Sequence, residues 1–83
     1  MASLRDVLNH IGQQALLERE GRLIARVLAI ERGLVGFIEP KAEPSRGDVL
    51  RFVQSGRAFR VVNVVPESQQ ERTDHYRLEL LPL

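Results

Sequence analysis

Eighty-three residues, 43% hydrophobic and 28% charged, describe one small globular domain (1–83) with a thin core and exclude a disordered chain. With no cysteine, neither disulfides nor thiolate metal sites can reinforce it, so helix packing or oligomerisation is the expected supplement. Twelve basic and eleven acidic side chains are interspersed to a net charge of +1, which leaves no broad field for nucleic acid or an anionic membrane.

The opening "MASLRDVLNH" has no apolar run long enough for a signal peptide or a spanning helix, so the protein is expected to stay in the cytoplasm. Ser3 and Asp6 form a variant capping box, and a helix is predicted over 1–20. Leu4, Val7, Leu8, Ile11, Ala15 and Leu16 recur at helical spacing and form an apolar stripe that needs a surface to cover. Gly12 lowers helix propensity by about 1 kcal/mol relative to Ala and marks close packing or a bend, and Gly21 is the expected stop.

A barrel is predicted over 22–83. The run "RLIARVLAI" from Arg22 to Ile30 is compatible with helix or strand; its β-favouring content and flanking Gly21 and Gly33 select strand. "GLVGFIEP" from Gly33 to Pro40 is a second strand, with Gly36 read as a bulge or bend, and "PKAEPS" is an extended linker. Three further segments alternate with period two: Gly47 to Gln54, Arg57 to Val65 and Tyr76 to Leu80. Ser55-Gly56 turns the first into the second, and "PESQQERTD" is an unstructured surface loop before the third. The fold class is α+β: an N-terminal amphipathic helix followed by a five-stranded, mostly antiparallel barrel or curled sheet.

Chemistry is sparsely signalled. His10 and His75 lie far apart in sequence and lack paired metal-ligand spacing, and each serine or threonine sits at a cap or turn position. Asp74 beside His75 is an acid–base pair only if Asp74 lies in a turn, because neighbours on a strand point to opposite faces. No phosphate-binding glycine pattern is present, so neither enzyme activity nor a cofactor is expected. Arg46-Gly47-Asp48 is read as a turn entering a strand, ahead of a receptor-binding tripeptide. Arg51, Arg60, Arg77 and Glu79 are placed to pair across strands on an exposed face, and Phe52, Phe59 and Tyr76 are read as core in preference to base-stacking platforms.

The stretch "RGDVLRFVQSGRAFRVVNVVPE" resembles the C-terminal half of the small head-tail joining proteins of long-tailed bacteriophages, also called head completion, neck or stopper proteins. The resemblance lies in Gly47-Asp48 leading a strand, the turn at Gly56, Phe59, the valines 61, 62, 64 and 65, Pro66, and Tyr76 to Leu80 as a closing strand. It implies a noncatalytic virion protein that assembles as a ring at the capsid vertex, touches other neck, portal or tail proteins, and lets DNA pass through the lumen without sequence-specific contact. On that reading Leu4, Val7, Leu8 and Ile11 pack the helix. Lys41, Glu43 and Arg46, with Gln69, Gln70 and Arg72, lie on loops that reach neighbouring subunits. The alternatives are a small barrel adaptor or inhibitor that binds a host or viral protein, and a nucleic-acid-binding barrel.

Overall fold

The computed structural model describes residues 3–83. One helix, α1 (Leu4–Ile11), precedes six strands: β1 (Gln13–Arg19), β2 (Arg22–Arg32), β3 (Val35–Ile38), β4 (Val49–Phe52), β5 (Ala58–Gln69) and β6 (Arg72–Pro82). They close into an antiparallel barrel in the order β1-β2-β3-β6-β5-β4, with β1 and β4 forming the seam. Two three-stranded meanders therefore face each other, joined by the β3–β6 and β1–β4 pairings.

The predicted helix over 1–20 is corrected to eight residues, and the sixth strand comes from its second half. Its start is as expected, since Ser3 Oγ accepts from the Asp6 amide and Asp6 accepts from the Ser3 amide. It stops at Gly12, not Gly21: Gly12 donates to the Leu8 carbonyl at 2.9 Å and turns extended, where a Cβ would collide with that carbonyl oxygen. Beyond it, Ala15 and Leu17 are buried and alternate with Gln14, Leu16 and Glu18. That seven-residue run satisfied a helical stripe by coincidence; what decides it is that β2 and β4 both need a strand between them.

The interior is built from Ala15, Val27, Ala29, Ile38, Leu50, Phe52, Phe59, Val61, Leu78 and Leu80, with Ala25, Val64 and Tyr76 packed against them. The alternation read from the sequence places Leu50 and Phe52, Phe59 and Val61, and Leu78 and Leu80 inward. A bulge at Val62 then shifts β5 by one residue, so Val64 reaches the core where unbroken alternation assigned Asn63 and Val65. The Phe52 and Phe59 rings meet edge to face with centroids 6.0 Å apart. Gly36 is not bulged, because β3 keeps continuous register with both neighbours. It is small because Leu80 lies against it: a Cβ there would come within 2.8 Å of Leu80 Cδ1.

Strand lengths set the shape. β3 has four residues, whereas β2 and β6 each have eleven and run past its end at Ile38. α1 packs against both flanking strands, so it fills the slot that a longer β3 would occupy. Leu8, fully buried but separate from the interior cluster, is its anchor.

β5 and β6 stay paired from Phe59 and Pro82 to Gln69 and Arg72, and the expected loop "PESQQERTD" is thus corrected to a hairpin arm. Its turn, Gln70-Glu71, holds both residues in the left-handed region (φ 54° and 64°), which a two-residue hairpin requires even without glycine. At the β1–β2 tip, Glu20 and Gly21 adopt the same pair of signs (φ 53° and 77°).

Candidate functional site

The Arg46-Gly47-Asp48 turn is a fastening between linker and barrel. Asp48 is 1% exposed, and its carboxylate accepts from Arg19 Nε at 2.8 Å, Arg19 Nη2 at 3.0 Å and the Ser45 amide at 2.8 Å. Arg19 Nη2 also donates to the Glu43 carbonyl and Ser45 Oγ, each at 3.2 Å. Hydrogen bonding and charge from Asp48 push the guanidinium pKa above its ordinary value. The Asp48 backbone adds a ladder bond, its carbonyl accepting from Val61 at 2.8 Å. An inward-turned, fully partnered carboxylate has nothing left to offer a receptor.

The second polar cluster sits on the β5–β6 arm beside α1. A bulge between Glu67 and Ser68 leaves Asp74 unpaired in the ladder, so its side chain turns back to its neighbour, the arrangement that plain strand geometry forbids. His75 Nδ1 lies 2.8 Å from Asp74 Oδ2, and Nε2 lies 3.1 Å from Glu67 Oε1. Phe37 closes one side of the ring edge-on at 5.9 Å, and Arg77 stands 3.6 Å from the same Glu67 oxygen. Asp74 Oδ2 also accepts from the Arg5 amide of α1 at 3.2 Å. Both ring nitrogens of His75 thus face carboxylates, and through Asp74 the cluster ties helix to arm. Among the described residues no His, Asp and Glu side chains converge as metal ligands.

Burial pushes the Asp74 pKa up, but hydrogen bonds from His75, the Arg5 amide and Ser3, with the His75 charge, outweigh it and hold the carboxyl below its ordinary value. A lowered folded-state pKa gives a stability contribution present in full above the unfolded value, ~3.9, and lost as pH falls through the lower folded value. Thermal unfolding followed from neutral pH to below that range should therefore show an acid limb. Asp74→Asn should flatten it while lowering the midpoint at neutral pH; an unchanged acid limb would remove Asp74 from the helix contact.

The proposed interface residues fall into three separate surface hollows. Gln69, Gln70 and Arg72 join Arg5 and Asp6 around one of about 290 Å³, which brings the arm together with the helix. Gln69 and Arg72 are strand residues, and only Gln70 is in the turn. Glu43 and Arg46 border a second, of about 380 Å³, against Asn63, Pro66 and Tyr76, with Arg46 Nε donating to the Val62 carbonyl at 3.1 Å. Lys41 is exposed at the edge of a third, about 520 Å³, walled by Leu16, Arg26, Leu28 and Val53. Of the four helix positions, Leu8 is buried, Leu4 and Val7 are half-buried, and Ile11 is 59% exposed.

Sequence reasoning passed over the Arg19–Asp48 bond because Arg19 was placed on a helix. The four side chains set out for cross-strand pairing divide. Arg51 meets Glu18 at 3.3 Å and Arg77 stands by Glu67, whereas Arg60 and Glu79 enter no ion pair among the described residues. Phe52 and Phe59 are buried, so their rings are closed to bases. No helix among the described residues is long and apolar enough to cross a membrane. No family model, no curated protein and no solved structure matches this chain.

Proposed function

We propose that the chain is a structural component of a bacteriophage head–tail junction, acting in the virion after assembly in the host cytoplasm through contacts with copies of itself and with neck, portal or tail proteins. The observation that carries this reading is the β5–β6 arm. A barrel only about 22 Å across is drawn out to 35 Å, and the arm extends past the ends of both β3 and β4, its neighbours in the sheet. An overhanging hairpin with a polar tip suits reaching an adjacent subunit while the barrel stays a rigid spacer. Exposed Leu23 and Ile24 on the other overhanging hairpin, with Val53 in the turn after β4, leave apolar surface for assembly to cover. A cyclic array would bury it and stabilise so small a domain.

The test is genetic. Particles assembled without the protein should fill with DNA and fail to join tails, and normal tail attachment in its absence would overturn the assignment. The adaptor reading draws on the hollow beside Lys41, whose walls include Leu16, Leu28 and Val53. Recovery of one soluble partner, with no association with capsids, would favour it.

A further inference from the structure

The outer wall of β5 and β6 carries a pattern that is complementary to itself. Leu80 points inward, so Glu79 and Leu81 point outward on β6, with exposed Leu83 just past its end, and register places Arg60 of β5 directly beside Leu81. Val35 of β3 lies on the other side, opposite Glu79. Leu81 and Leu83 are 52% and 65% exposed. Among the described residues Arg60 donates to the Gly47 carbonyl, at 3.0 Å, and neither Arg60 nor Glu79 makes an ion pair. An arginine and a glutamate without ion-pair partners among the described residues thus both adjoin one exposed leucine, the arginine beside it on β5 and the glutamate two residues along β6.

We infer that this wall binds a second copy of the chain about a twofold axis that lies in the contact plane and runs between Arg60 and Glu79. With strands ~4.8 Å apart and alternate residues ~6.8 Å apart along a strand, such an axis lays Arg60 of each copy on Glu79 of the other in the same operation. It stacks Leu81 on Leu81 and carries Leu83 over the opposite Val35. An isologous contact requires this self-complementarity, and a patch complementary to an unrelated partner does not. A net charge of +1 adds no long-range repulsion between copies. A contact resting on Arg60, Glu79, Leu81, Leu83 and Val35 of each copy belongs to the weak, reversible class of association. It concerns the isolated chain and does not rest on the virion assignment.

Sedimentation equilibrium of the purified full chain, from low micromolar to about 1 mM, reads this out. The expected result is a concentration-dependent rise from 9.4 kDa toward twice that mass. Arg60→Glu and Glu79→Arg should each weaken association at least ~10-fold through like-charge contacts, and the double exchange should restore it to within ~3-fold. Leu81→Glu should abolish it. All three sites are exposed, and unchanged melting temperatures would show that the variants are folded. A wild-type chain monomeric throughout, a double exchange no tighter than the single ones, or a larger assembly indifferent to the exchange would each overturn the inference.

Discussion

Asp48→Ala should lower the free energy of unfolding by about 3 kcal/mol, an effect in the range seen when a buried, hydrogen-bonded charge partner is removed. The carboxylate is 1% exposed and collects three donors, one of them the Ser45 amide at 2.8 Å, which would be left without a partner. Arg19 is freer, with its side chain 40% exposed, so water can rehydrate it after the loss. The damage therefore concentrates on the linker between β3 and β4, whose Glu43 and Ser45 are held through that same guanidinium. Urea unfolding at neutral pH checks it: the midpoint should fall with little change in slope. A loss below about 1 kcal/mol would mean the pair behaves in solution like the exposed Arg51–Glu18 and Arg57–Glu31 bridges, which are of the kind that contributes little.

Leu8→Ala should cost a similar amount, about 3 kcal/mol for a fully buried leucine, but with a different signature. Leu8 stands apart from the barrel interior, and α1 otherwise meets the body through half-buried Leu4 and Val7 and the hydrogen bonds of Arg5 and Ser3 to Asp74. Removing the anchor should loosen the helix ahead of the barrel. Amide exchange should quicken in α1 and at residues 72–75 while the ladder around Phe59 and Leu80 keeps its protection. Uniform loss of protection across all six strands would show instead that helix and barrel unfold as one unit.

The second half of the molecule was legible because its signals are local and redundant. Leu50 and Phe52, Phe59 and Val61, and Leu78 and Leu80 alternate strictly, and Ser55-Gly56 is turn chemistry that the strands on either side respect. Legibility failed where a neighbour decides the outcome. Nothing within "QQALLER" says that β4 lacks a partner, so its helical spacing was taken at face value. The left-handed pair Gln70-Glu71 carries no glycine, so the sequence of the hairpin it closes resembles a loop. Of the polar residues, the Asp74–His75 contact was conceivable only given an irregular backbone, and the bulge that supplies it is set by pairing with β5. The interface candidates are scattered over three hollows because exposed polar side chains in the sequence do not encode which faces adjoin.

The seam between β1 and β4 joins residues 15–18 to residues 49–52, and the other seam joins 35–38 to 76–79. During synthesis β3 must therefore wait with its outer edge unmated until residues 76–79 have emerged, whereas β1 can close on β4 once residues 49–52 are out. Such long-range closure is slow compared with hairpin formation and exposes bare backbone in the interval. For this polypeptide the hazardous interval lasts until residues 76–79 reach β3, and any factor that shelters half-made sheets would act there.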